Sequence, residues 1–176
     1  MGNVRIHPEA LLFAGLLFNE KVSHDFMFEV LHREFGKSLL ESERFPFIET
    51  DYYSSEMGST LTRVYVAFDR LIHPDQLPEM KLKSNRIECD VFSTDGKRNV
   101  NIDPGYLTRA KVVLATTKDY RHRLYMGYGV YAEVTLQFSK KEQSYVPWEW
   151  TYKDYRRKEA IQFFNSLRIV YRESQI

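Results

Sequence analysis

The feature that most restricts the fold of this chain is the unbroken apolar run from Ala10 to Phe18, which stops at Asn19-Glu20. A strand with one wet face alternates apolar and polar residues, and a surface helix shows a polar residue in every turn. An element covered on all sides reads as apolar throughout, and the helical pattern that follows favours a buried central strand. The run is about half of the ~20 residues that a membrane-spanning helix requires. It has no basic leader and no small-residue cleavage site, so it does not read as a signal peptide. Ile6 stands where a myristoylation site needs Ser or Thr. The cytoplasm is the expected compartment.

Around such a strand a chain of 176 residues is expected to build one α+β domain, residues 1–176, which at this size buries roughly 70% of its unfolded surface without staples. The aromatic fraction of 15% suits the half-buried surfaces of strands and sheet–helix packing. A net charge of +1 gives no field to hold a polyanion, so nucleic acid is not an expected partner. Cys89 is the one cysteine, which excludes an internal disulfide and a cysteine-cluster zinc site.

Along the chain, Met27, Val30, Leu31 and Phe35 fall at helical spacing, with Ser23 or Asp25 as the N-cap and Gly36 as the stop. Leu39 to Phe47 reads as a weaker strand whose end, at Pro46, lies on an edge. Thr62 to Ile72 alternates, with Val64, Val66 and Phe68 on one face and Arg63, Tyr65 and Asp69 on the other. A second helix starts near Pro78, with Leu77, Met80, Ser84, Ile87 and Val91 as its inward stripe. Asp95-Gly96 marks a turn into a short strand at Arg98 to Ile102.

Lys111 to Thr116 is β-branched and extended, and His122 to Met126 and Val130 to Phe138 flank the hairpin turn Gly127-Tyr128-Gly129. Val130, Ala132, Val134, Leu136 and Phe138 are expected on one face of the last strand. A helix with the stripe Ala160, Ile161, Phe164, Leu167, Arg168 and Tyr171 closes the chain. The order β-α-β-β-α-β is that of a ferredoxin-like split βαβ unit, extended by a further strand, a hairpin and a C-terminal helix packing on the sheet.

Phe45-Pro46-Phe47, Asp103-Pro104-Gly105-Tyr106-Leu107-Thr108, Leu114 to Asp119, His122-Arg123 and Trp150-Thr151-Tyr152 stand out. Together they resemble a bacterial family catalogued as domain of unknown function 4416, over about Ala10 to Tyr171. The resemblance implies no activity. Some members carry a GTP-binding label, which these residues do not support. A P-loop needs glycines ahead of Gly-Lys-Ser/Thr so that backbone amides can wrap phosphate. The nearest match, Asp95-Gly96-Lys97-Arg98, lacks the first glycine and the hydroxyl.

Several polar segments are candidates for a site. Asp51-Tyr52-Tyr53-Ser54-Ser55-Glu56 offers two carboxylates for a cation or a base, or is a turn in which Asp51 bonds its own backbone. Asp103-Pro104-Gly105-Tyr106 has the form of a type II turn with Gly105 left-handed. Thr116 to Arg123 sets Lys118, His122 and Arg123 beside Thr117, a set suited to a phosphate or carboxylate ester, or else forms a solvated charged loop between strands. Glu133 sits mid-strand among apolar residues and needs a partner such as Arg123, Lys111 or a metal if its face is covered, and carries no information if that face is solvated.

The expected function is a binding site for a small anionic ligand, a metabolite or nucleotide, with enzymatic activity left open. Its candidate residues are Asp51, Tyr53, Glu56, Asp103, Thr117, Lys118, His122, Arg123 and Glu133. No cofactor or metal is assigned. The alternative is a non-catalytic interaction module or homodimeric subunit, built on exposed tyrosines, Trp148, Trp150 and an edge strand.

Overall fold

Ala10–Asn19 forms β1, buried along its whole length, and its antiparallel neighbours on both sides explain why no position in it is polar before Asn19. The computed structural model describes residues 2–173. In chain order after β1 come α1 (His24–Phe35), β2 (Ser38–Glu41), β3 (Phe45–Pro46), α2 (Ser54–Met57), β4 (Leu61–Ile72) and α3 (Leu77–Asp90). Then follow the small hairpin β5 (Ser93–Thr94) and β6 (Lys97–Arg98), and β7 (Val100–Leu107), β8 (Lys111–Thr116), β9 (Leu124–Gly127), β10 (Val130–Ser139), β11 (Ser144–Pro147) and α4 (Lys158–Glu173).

The main sheet runs β11-β10-β8-β7-β1-β4-β2, with β3 paired to β4 and β9 to β10, and every pairing in it is antiparallel. The protein is therefore α+β: one large antiparallel sheet with four helices. Leu12, Ala14 and Leu16 of β1, with Val64, Val66 and Phe68 of β4, pack against α1 and α3. Leu11 and Phe13, with Tyr65 and Ala67, pack against α4 on the other face. Both faces of β4 are thus covered, although its sequence alternates.

Local signals place the helix ends. Ser23 caps α1, its Oγ accepting from the Phe26 N–H at 3.4 Å, and Gly36 ends it at φ 110, a value that favours glycine. Pro78 lies in the first turn of α3, where its missing N–H costs nothing. No helix among the described residues is long and apolar enough to cross a membrane.

Six expectations need correction. Leu39 to Phe47 is two short strands, β2 and β3, separated by residues 42–44. The expected strand at Arg98 to Ile102 divides into β6 and the longer β7. Val91 is exposed, and Lys81 and Glu88 join the buried stripe of α3 instead. The hairpin strand expected from His122 starts at Leu124. A register shift between Val134 and Leu136 breaks the alternation of β10. It sends Val130 and Ala132 to the α1/α3 side and Leu136 to the α4 side.

The largest departure is Asp103-Pro104-Gly105-Tyr106, which forms no turn and lies within β7. Gly105 is absent from the positive-φ residues, and its role is spatial. A Cβ there would meet the Phe13 ring and the Val113 carbonyl oxygen.

Candidate functional site

The site begins with a parting of the sheet. β7 and β8 pair only from Gly105 to Leu107, against Leu114 to Val112, and the preceding stretch of β7 has no strand on that side. Two charged side chains of α3, seven residues apart and so on one helix face, take the missing strand's place. The Ile102 N–H donates to Glu88 Oε1 at 2.7 Å, and the Ile102 carbonyl accepts from Lys81 Nζ at 3.1 Å. Two residues on, Pro104 faces the same gap with no N–H to satisfy. Lys81 and Glu88 are 5% and 1% exposed, and these bonds account for their burial.

Beyond the parting lies a cavity of about 870 Å³, within the range of small-molecule sites. The sheet contributes Arg63, Asn101 and Asp103 to its lining. Tyr65, Gly15 and Asp103 are in register across β4, β1 and β7, and Arg63, Leu17 and Asn101 form the next row. α4 covers the neighbouring end, where Phe164 packs edge-on to Phe13 at 5.0 Å. The segment holding Asp154 and Tyr155, just ahead of α4, closes over these rows. Gly15 makes room for it, since a Cβ would stand 2.6 Å from the Tyr155 hydroxyl oxygen.

The walls are a set of ion pairs. Arg63 Nη2 lies 2.9 Å from Asp154 Oδ2, to which the Tyr65 hydroxyl also donates at 3.3 Å. Lys81 pairs with Asp103 at 3.2 Å, and Asn101 Nδ2 donates to the other Asp103 oxygen at 2.7 Å. Arg98 reaches Glu88 at 2.5 Å and Glu56 at 2.6 Å. Glu133 accepts from Arg123 Nε at 2.8 Å and lies 3.1 Å from His122 Nε2. Arg123 also donates to the Lys118 carbonyl at 2.9 Å and the Tyr152 hydroxyl at 2.5 Å, tying three parts of the wall together. Glu49 pairs with Arg157 at 3.3 Å.

Burial sets the titration of this wall. It pushes the Tyr65 and Tyr155 phenols well up, with Asp154 adding to the effect. It also pushes Glu88 up, against the pull of Lys81. Burial opposes the Arg63 charge, but Asp154 beside it prevails and holds the guanidinium above its ordinary value. Among the described residues, Arg63 Nε and Nη1 and the Tyr155 hydroxyl have no hydrogen-bond partner.

Of the residues marked in the sequence, Tyr53, Asp103, Thr117, Lys118 and Glu133 border the cavity. His122 and Arg123 stand behind it, bonded to Glu133. His122 is stacked on Trp150 at 5.2 Å, and Trp150 on Trp148 at 5.0 Å, so the tryptophans expected at an interface form part of a ring column. Asp51 is exposed and does not border the cavity. Glu56 borders a second, smaller hollow of about 520 Å³, and its bond to Arg98 holds its carboxyl below the ordinary value.

Sequence reading missed Arg63, Asp154, Lys81 and Glu88. The one signal available was charge on otherwise apolar stripes: Lys81 and Glu88 beside Met80 and Ile87, and Arg63 in a strongly apolar strand. No group of three or more His, Cys, Asp or Glu side chains placed to hold a metal ion occurs among the described residues.

A search of curated proteins and a search of solved structures return no match. One family, described as Domain of unknown function (DUF4416), matches residues 8–171. That span takes in the parted strands, the cavity and α4, so the chain belongs to the DUF4416 family.

Proposed function

We propose that the cavity binds a small anionic ligand, a metabolite or nucleotide, whose charge is met by Lys118 and Lys153. One observation carries this reading. Each carboxylate bordering the space is already matched: Glu49 to Arg157, Glu88 to Arg98, Asp103 to Lys81, Glu133 to Arg123 and Asp154 to Arg63. Lys118 and Lys153 also border it, and neither pairs with a carboxylate among the described residues. Lys118 Nζ donates only to the Tyr52 hydroxyl, at 2.6 Å, and lies 3.9 Å from that ring. Among the described residues, the charged side chains bordering the cavity that have no ionic partner are therefore both lysines, and hydrogen bonds from charged donors to an anion are the stronger kind.

Calorimetry at low salt with inorganic phosphate, pyrophosphate and short dicarboxylates tests this. At least one of these anions is expected to bind, with Lys118→Ala and Lys153→Ala each weakening it about tenfold. Absence of binding by all of them, or affinities that ignore both substitutions, would overturn the reading.

We likewise read β7-β1-β4-β2, with α1 and α3 as its crossovers, as a ferredoxin-like unit. The strand order and the shared face of the two helices support it. That one sheet carries the core on both faces supports the reading as a single domain.

A further inference from the structure

The cavity is lined from both sides of the sheet. Tyr155 belongs to the α4-side core, and Glu133 shares that face through its register partner Leu114; Asp103 shares it through Gly15, which lies two residues from Phe13 in β1. Asn85 and Cys89 belong to α3, which packs on the other face. Asn101 and Asp103 of β7 and Leu114 to Thr116 of β8 all border this one space, which places it in the parting that the two strands leave where their ladder stops at Gly105. Lys81 and Glu88 hold it open, because they satisfy the Ile102 backbone without a strand between. Crossing one layer of a packed sheet takes roughly 10 Å.

We infer that the ligand is elongated and lies through this slot, a conclusion that rests on the anion-binding reading. Its anionic group sits by Lys118 and Lys153, and its uncharged, hydrogen-bonding end reaches Asn85 and Cys89 on α3. Asn85 is half-buried, borders the cavity and, among the described residues, has no hydrogen-bond partner for its side-chain amide. It therefore has two donors and an acceptor to offer a polar ring or amide. A nucleoside monophosphate has this length and this division between a charged end and a hydrogen-bonding end. Inorganic phosphate has the charged end alone.

Cys89 provides the test, since it is exposed, borders the far end and is the one cysteine in the chain. The rate at which a disulfide reagent modifies it is measured with each of the common nucleoside monophosphates and with inorganic phosphate, alongside calorimetry. A bound nucleoside monophosphate is expected to slow modification at least fivefold and saturably, whereas phosphate leaves the rate unchanged. Asn85→Trp, which fills the far end, is expected to weaken the nucleotide at least tenfold and to leave phosphate affinity as it was.

Nucleotide binding without protection of Cys89 overturns the slot and leaves the anion site standing. Binding of phosphate but of no nucleotide does the same. Equal weakening of both ligands by Asn85→Trp also counts against the slot. Absence of binding by nucleotide, phosphate, pyrophosphate and short dicarboxylates alike removes the anion site and the slot together, whereas binding of a dicarboxylate alone removes only the slot.

Discussion

At the scale of single residues, Gly105 shows how a local signal and a tertiary demand come to use the same amino acid. Pro104-Gly105 has the composition of a type II turn, yet both lie in β7, where Gly105 is packed under the Phe13 ring. Gly105→Ala is expected to destabilise the fold by about 1–3 kcal/mol through overpacking, seen as a lower denaturation midpoint at unchanged slope. Because the ring is one of the obstacles, Phe13→Leu in the same chain should recover part of the loss. A coupling below about 0.5 kcal/mol between the two substitutions would sink this account. Glu133 was more legible. Glutamate inside an apolar strand implies a buried partner, and the sequence already named Arg123, the residue that pairs with it here.

At the scale of elements, the segment between β3 and β4 is fastened by side chains more than by backbone. Its short helix α2 is tied through Glu56 to Arg98, which is shared with Glu88 of α3. Since the Arg98 bond lowers the folded-state pKa of Glu56, its contribution to stability is fully present above the ordinary value of 4.5. It is lost as pH falls through the depressed folded value. Glu56→Gln should therefore lower the melting temperature at neutral pH, with the deficit shrinking towards zero in acid. A deficit that stays constant down to strongly acidic pH would show that the ion pair is not its origin. The helices themselves were readable because caps and apolar spacing are local. Their buried charges were not, because Lys81 and Glu88 answer to an unpaired strand edge that is close only in space.

At the scale of the whole molecule, the core on the α4 side is built around buried phenols, among them Tyr65, Tyr145 and Tyr155. Burial raises the pKa of each. A raised phenol pKa favours the neutral, folded form, so stability is retained below the ordinary value of 10 and is lost as pH rises beyond it. Alkaline titration should show a late group of tyrosines whose ionisation, followed by ultraviolet absorbance, coincides with the loss of far-ultraviolet circular dichroism. Complete tyrosine ionisation while the secondary structure persists would contradict this packing.

Local pattern in the sequence is enough to read β1 as a buried strand, to place α1, α3 and α4, and to show that charge gathers between Thr116 and Arg123. Each of those follows from periodicity, capping or composition over a short stretch of chain. Only the tertiary structure decided that β7 and β8 part, that the β10 bulge turns Leu136 to the other face, and that five of the nine marked residues border one cavity while Asp51 and Glu56 do not. The physical reason is that these depend on which backbone groups find a partner and which side chains must share a space. Those pairings join residues far apart in the chain, and no local pattern encodes them.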